Sequence, residues 1–295
     1  MTVVVFGSIN MDIVTRCRHH PHIGETIHGD SVTFYPGGKG ANQAIASAKA
    51  GAETHLLGVV GKDAFGTQLL DYLRNNGVLV DNILQIELPT GIAAINVADD
   101  ASNTIVVVAG ANGETKASPS IIQALEHPVG LAQLETPIKE VAHFFSLIKG
   151  ANGVTILNPS PYQPIEKSLL QVTDILILNE VEFSKFAGLS GNIDATNAAH
   201  ILGNMECDIS CLIVTLGRDG CVVKTNNSVE YIKGVPCKAI DTTGAGDCFA
   251  GVFAASLNDG RTYCSAAERA NRAASISVTR AGAGPSMPEQ AEIDI

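Results

Sequence analysis

Cations are scarce in this chain. Its 295 residues carry 19 Lys and Arg against 30 Asp and Glu, a formal net charge of −11 at pH 7. That balance excludes the basic face that nucleic-acid binding needs. It leaves nucleotide binding open, because backbone N–H groups and a metal ion can meet phosphates. No apolar run approaches the ~18 residues of a membrane helix. The start, MTVVVFGSINMD, lacks a basic segment and breaks at Gly7, so it does not read as a signal peptide. The seven cysteines show no CxxC spacing; Cys207 and Cys211 lie four apart with no second pair nearby. This fits reduced thiols in a cytoplasmic protein better than a disulfide framework. His19, His20 and His22 surround Pro21 and precede Gly24 without an acidic or Cys partner in spacing, which reads as a solvated turn rather than a metal site.

Apolar content is ample. Hydrophobic residues make up 45% of the chain, and 29 glycines recur among Ala, Val and Ile. Short apolar runs at Val3–Phe6, His55–Val60, Val154–Leu157, Ile175–Leu178 and Leu212–Thr215 are continuous rather than alternating. Continuous runs are expected of strands buried on both faces of a parallel sheet. Between them lie helical patterns. Ala41, Ala44, Ile45 and Ala48 share one helix face, with Gly51 as a stop, and Phe65–Asn75, Ile165–Val172 and Ala195–Asn204 read as further helices. The alternation predicts a doubly wound α/β fold: a mostly parallel central sheet with helices on both faces. In such sheets ligands bind beyond the carboxyl ends of the strands. Asn10, Asp12, Asn158, Asn179, Glu182 and Gly217 all follow strand runs and should line that edge.

A second pattern is β-branched and partly alternating, without intervening helices: Asp12–Thr15, Ser31–Tyr35, Gly91–Val97 and Thr104–Val108. It predicts a small β-sheet formed by discontinuous segments, about 11–36 and 90–109, attached to one large domain spanning 1–295.

Two glycine-rich stretches compete for a phosphate. YPGGKGANQA, Tyr35 to Ala44, has three glycines around Lys39, but no Ser or Thr follows the lysine, so GxxxxGK[ST] fails. DTTGAGDCFAGVFAASL, Asp241 to Leu257, places Gly244, Ala245 and Gly246 before an Ala-rich helix. A glycine turn at a helix N-terminus presents backbone N–H groups and partial positive charge, which suits a phosphate or a transferring phosphoryl group. Asp247 stands where that helix begins; its position predicts a depressed pKa. After the first strand run, GSINMD lacks GxGxxG, which excludes the dinucleotide fingerprint.

GSINMD, GGKGANQA, QLETP, LNPSP, NEVE, VTLGRDG, DTTGAGD and VTRAGAGPSMP stand in the order and spacing of the ribokinase-like carbohydrate kinases (PfkB type). The resemblance covers nearly the whole chain, and Asp-Thr-x-Gly-Ala-Gly-Asp is its most specific element. NMD and the lysine of GGKGAN resemble the members that act on ribose. The resemblance implies ATP-dependent phosphorylation of the primary 5-hydroxyl of D-ribose, with deoxyribose, a nucleoside or another small sugar as alternatives. A sensor that had lost catalysis would be expected to lack Asp247 or the glycines beside it, and all are present.

The same resemblance implies a site. Asp247 would be the base, and Gly244, Ala245 and Gly246 the anion hole. Asn10 and Asp12 would bind sugar hydroxyls, Gly38, Lys39, Gly40 and Asn42 would close around the sugar, and Glu135 would complete its pocket. Asn179 and Glu182 would handle Mg²⁺ and phosphate. Thr215, Gly217 and Gly220 would lie on the nucleotide side, with Asn271 near adenine. Asp241, Thr243, Ser277, Arg280, Gly282 and Ser286 would surround a monovalent cation, K⁺. The small sheet would serve as a lid and join two copies into a homodimer. Between Ser120 and Glu135 the chain is shorter than in typical relatives, which bears on the approach to Glu135.

Overall fold

The structure is a computed structural model and describes residues 2–100, 102–191 and 193–295. Among the described residues, the strands in chain order are β1 (Val3–Phe6), β2 (Asn10–Cys17), β3 (Ser31–Gly37), β4 (Thr54–Gly61), β5 (Val78–Leu79), β6 (Ile83–Ile86), β7 (Gly91–Ala98), β8 (Asn103–Val108), β9 (Val129–Ala132), β10 (Val154–Leu157), β11 (Ile175–Asn179), β12 (Cys211–Thr215), β13 (Gly220–Thr225) and β14 (Val229–Lys233). They form two sheets. The large one runs β14-β13-β12-β11-β10-β9-β1-β4-β5, with β6 also pairing β4. Its pairings are parallel except for β12–β13 and β13–β14. The small sheet runs β3-β2-β7-β8.

The continuous apolar runs are buried on both faces, as their pattern predicts. Val3 and Val5 of β1 join the core under one helical layer, with Ile45, Leu69, Phe249 and Ala266. Val4 and Phe6 join the opposite core, with Val141, Phe144 and Phe183. All four β1 side chains are fully buried. Phe6 stacks on Phe144 at 5.2 Å between ring centroids. Removing the Phe6 ring would cost about 3–5 kcal/mol, since packed neighbours cannot fill the void. Helices Lys39–Lys49, Ala64–Asn75, Ala245–Asn258 and Tyr263–Ser277 build the first layer; Ile138–Gly150, Glu180–Phe186 and Ala198–Asn204 build the second.

One predicted helix is much shorter than its pattern. Ile165–Val172 contracts to Lys167–Leu170. Val172 and Thr173 donate to the carbonyls of Leu169 and Leu170, three residues back, and the Thr173 hydroxyl also takes the Leu169 carbonyl. That tightened turn ends the α pattern. The segment between Ser120 and Glu135 holds part of the helix Pro119–Ile122 and then β9, which pairs β1 and delivers Gln133 and Glu135 to the sheet edge.

The chain starts at β1, moves outward to β4 and β5, then returns to β9 on the other flank of β1. The connections therefore diverge at the carboxyl ends of β1 and β9. A crevice opens at such a switch point.

Candidate functional site

The crevice is closed at its base by side chains from both flanks. Ser8, just past β1, donates to Glu135 Oε2 at 2.5 Å. The Lys39 backbone N–H donates to the same oxygen at 3.3 Å. The helix Lys39–Lys49 can begin here because residue 40 is glycine: a Cβ at Gly40 would lie 2.5 Å from the Gly7 carbonyl carbon. The opening glycines thus permit close backbone approach, and Lys39 reaches the cavity from the first helical turn.

Asn10 and Asp12 stand at the beginning of β2, where the chain leaves the large sheet for the small one. Asn112 holds that departure. Its Nδ2 donates to Asn10 Oδ1 at 2.7 Å and to the Ile9 carbonyl at 3.1 Å, while its Oδ1 accepts from Ile9 N–H at 2.9 Å. Burial, with the charges of Glu135 and Asp247, pushes the Asp12 carboxyl up to about 7, against the opposing pull of Lys39. Burial alone would lower the Lys39 ammonium, but Asp247, Glu135, Glu182 and Asp12 together raise it. One cation therefore sits among four carboxyl groups.

Asp247 lies in the first turn of the helix Ala245–Asn258, whose N-cap Gly244 has φ 76°. This left-handed conformation suits glycine, and a Cβ there would meet the Ala283 Cβ at 2.7 Å. Asn42 Nδ2 donates to Asp247 Oδ2 at 3.1 Å, and Gln43 Nε2 donates to Oδ1 at 2.9 Å. The expected depression of its pKa is reversed. Burial raises it, outweighing the lowering by Lys39, Gln43 and Asn42, and Glu135 adds to the rise. Water removed from a carboxylate costs more than the helix terminus returns.

Two cavities meet beside this helix start. One, about 190 Å³, is lined by Lys39, Asn179, Glu182, Thr215, Gly244 through Gly246 and Asp247. The other, about 300 Å³ and largely apolar, is lined by Gly217, Asn271 and Val278 among others. Both include Thr242 and Ala245 in their walls. Asn179 and Glu182 form a reciprocal cap of the helix Glu180–Phe186: Glu182 N–H donates to Asn179 Oδ1 at 2.8 Å, and Asn179 N–H to Glu182 Oε2 at 3.0 Å. Asn271 donates to the Lys233 carbonyl at 2.9 Å, fixing its side chain at the wall of the larger cavity. Gly220 is placed at the turn into β13, where a Cβ would meet the Ile232 carbonyl oxygen at 2.1 Å; it shapes the hairpin that carries Gly217.

Asp241 joins two loops. Its Oδ1 accepts from Thr243 N–H and Oγ1 at 2.9 and 2.6 Å, and its Oδ2 accepts from Gly282 N–H at 2.9 Å. Ser277 and Ser286 turn their hydroxyls to the carbonyls of Ala274 and Ala283. Arg280 pairs with Glu292.

Sequence reasoning missed the amides beneath the carboxylate. Gln43 is fully buried and Gln133 is 1% exposed. Gln43 lies within a stretch singled out for its glycines, and its neighbour Asn42 drew the attention. Gln133 follows the last residue of β9 and precedes Glu135 by two residues, in a stretch singled out for its glutamate. Of the histidine cluster, His19 pairs with Glu25 at 3.4 Å, and His19 and His22 are exposed. Among the described residues, no group of three or more His, Cys, Asp or Glu side chains could hold a metal ion. All seven cysteines are free thiols; Cys237 is exposed, unlike the buried Cys17, Cys211, Cys221 and Cys248. Among the described residues, no helix is long and apolar enough to cross a membrane.

The site divides by position in the chain. Residues 8 to 135 supply Asn10, Asp12, Lys39, Asn42 and Glu135. Residues 158 to 286 supply both cavities beyond Lys39.

Residues 1–290 match the pfkB family carbohydrate kinases. The ribokinase of Lactococcus lactis is 34% identical over 297 residues, covering 99% of this chain and 95% of that one. The ribokinase of Schizosaccharomyces pombe is 34% identical over 314 residues, covering 100% and 97%. The Arabidopsis thaliana ribokinase solved with ribose and ATP superimposes with a TM-score of 0.91 at 30% identity, covering 99% of this chain and 97% of that one.

Proposed function

The chain belongs to the pfkB family of carbohydrate kinases, and we propose that it transfers the γ-phosphoryl group of ATP to the 5-hydroxyl of D-ribose, giving ribose 5-phosphate and ADP. One observation carries the reading at residue level: Asp247, buried and raised in proton affinity, shares a cavity wall with the N-terminal turn Gly244–Gly246. A base and an anion site meet there within one helical turn.

Ribose binds between Asn10, Asp12, Gly38, Lys39, Gly40, Asn42 and Glu135. Asn112 and Ser8 keep the first and last of these in register. The nucleotide lies along the two cavities, its base near Asn271 and Gly217 and its phosphates near Thr215, Asn179 and Glu182. Asp247 orients the 5-hydroxyl. As the hydroxyl oxygen bonds to the γ-phosphorus, the bond from phosphorus to the ADP oxygen breaks and the hydroxyl proton passes to Asp247. The transition state is loose in most analyses, so proton transfer comes late and electrostatic stabilisation dominates. The N–H groups at Gly244–Gly246 face the charge on the transferring group, and Lys39 adds a cation on the same wall.

Glu182 and Asn179 line the phosphate cavity with oxygen donors and fit Mg²⁺ held largely through water. Bound there with the nucleotide, the ion would supply positive charge that offsets the charge of the phosphates. The loops joined by Asp241 and Gly282 fit a K⁺ site built from backbone carbonyls around Thr243, Ser277, Arg280 and Ser286. The small sheet acts as a lid that excludes water from the transfer. It also pairs two copies: Val32, Phe34, Ile105, Val106, Val107 and Val108 leave apolar surface exposed on it. The fold is read as one kinase domain over 1–295 with that lid.

The test is ADP release across a panel of sugars and nucleosides, with Asp247→Asn alongside. Ribose should give the highest kcat/KM. The variant should bind ribose and ATP nearly as tightly but lose turnover by a factor on the order of 10² or more. Near-normal turnover would remove Asp247 as the base, and preference for a nucleoside or deoxyribose would remove ribose as the acceptor.

A further inference from the structure

Beneath Asp247 lies a chain of amides that no ligand role accounts for. Gln133 Nε2 donates to Gln43 Oε1 at 2.6 Å. Gln43 Nε2 donates in turn to Asp247 Oδ1 at 2.9 Å and to Asn158 Oδ1 at 3.0 Å. Asn158 Nδ2 ends the chain on the Ile177 carbonyl at 2.9 Å. Every member is buried, with relative exposures of 1% for Gln133, 0% for Gln43, 8% for Asn158 and 7% for Asp247.

The polarity of this chain is fixed. Gln43 has one acceptor and two donors on its amide. Asn158 Nδ2 is committed to the Ile177 carbonyl, so Asn158 Oδ1 and the Asp247 carboxylate both face Gln43 as acceptors and its NH₂ must meet them, leaving its oxygen to Gln133. The reverse orientation would set the buried Gln43 oxygen against a carboxylate and a carbonyl oxygen, both acceptors. An amide donor rewards an ionised carboxylate over a protonated one.

The geometry points to Gln43 as a positioning residue for phosphoryl transfer: it holds Asp247 ionised and in a single orientation, through an amide whose direction Asn158 sets and whose oxygen Gln133 engages. It rests on Asp247 being the base. Gln43 counters a demanding environment. Burial, Glu135 and Asp12 favour a proton on Asp247, while Lys39 from the helix start and Asn42 beside it oppose one. Glu182 acts on Lys39 across the cavity, and Cys248, the next helical residue, is a neutral thiol pushed up to about 12 by burial. Removing one donor tips this balance toward the protonated, inactive form. The acid limb of the rate profile then moves to higher pH.

The experiment is the pH dependence of kcat and kcat/KM, with ribose and ATP, for the unsubstituted enzyme, Gln43→Met, Gln43→Glu and Gln133→Met. Gln43→Met should move the acid limb upward, with the rate at its foot falling on the order of tenfold relative to its own plateau. Gln43→Glu should move it further, because it sets a second carboxyl against the first. Gln133→Met never touches Asp247, yet should move it in the same direction to a smaller extent, by leaving the buried Gln43 oxygen without its donor. KM for both substrates should hold within about twofold. Lowered plateaus with an unmoved acid limb would reduce these residues to packing and overturn the inference. If the Gln43 variants fail to fold, Gln133→Met decides alone. An inactive Asp247→Asn together with unmoved limbs overturns only this inference, whereas an active Asp247→Asn overturns the base assignment beneath it.

Discussion

Asp241 Oδ2 accepts the Gly282 backbone N–H at 2.9 Å, across 41 residues of chain. The bond holds the loop before the helix Ala245–Asn258 against the loop that follows the helix Tyr263–Ser277. The proposed K⁺ site lies between those loops. Turnover should rise with KCl and saturate, and Asp241→Ala should blunt that rise several-fold while leaving KM for ribose little changed. A rate that is flat in KCl, against choline and sodium salts at equal ionic strength, would remove the site.

With Asp12 in the proposed sugar site, sugar binding should depend on pH near neutrality. Its carboxyl is pushed up to about 7 by burial and by Glu135 and Asp247. Its ionised form would be the better acceptor for sugar hydroxyls. KM for ribose should therefore fall as pH rises from about 6 to about 8, and Asp12→Asn should flatten that dependence while raising KM. The ligand-free fold responds in the opposite sense. A folded pKa above the unfolded value gives stability that is full below the unfolded pKa and is lost as pH rises through about 7. At pH 8 the ligand-free Asp12→Asn protein should be more stable by on the order of 1 kcal/mol, read as a higher Tm, and the gain should shrink at pH 5. A gain equal at both pH values would show that the carboxyl carries no such cost.

The lid should pair two copies through its apolar strands. β8 is exposed along its whole length, with Val106 at 63% and Val107 at 55% exposure. A long apolar edge strand left open invites pairing with another chain. Sedimentation of the unsubstituted protein should give a dimer, and Val107→Lys should shift it toward monomer, with the helix Ala245–Asn258 untouched. A monomer at micromolar concentration before any substitution would remove the pairing.

Much of this was legible in the sequence because its signals are local. Continuous apolar runs marked β1, β4 and β10 through β12, since burial on both faces leaves no room for alternation. The glycine turn before Asp247 marked a helix start that can hold an anion. What escaped was non-local. β9 is four residues long and contains Gly130, so no run announces it; its glycine matters only because a Cβ there would strike Ile148 at 2.7 Å. The proton affinity of Asp247 followed from burial by segments some 200 residues distant, which reversed a correct local argument about the helix terminus. Asn42 and Gln43 could not be ranked from order alone, because both amides reach the same carboxylate from one helical turn.

The partition of the site along the chain has a consequence for inheritance. Groups proposed to grip the acceptor lie before residue 136, and those proposed to grip the donor lie after residue 157, apart from Lys39, which serves both. A single genetic crossover between those limits would exchange the acceptor half of one such enzyme for that of another while leaving the donor half whole. Among the hydrogen bonds of the site, those of Asn42 and Gln43 to Asp247 and of Gln43 to Asn158 would have to match across the junction, along with the packing of the helix Lys39–Lys49 on the helix Ala245–Asn258. New acceptors can therefore be acquired by recombination, with those amides and that helix packing among the conditions of compatibility.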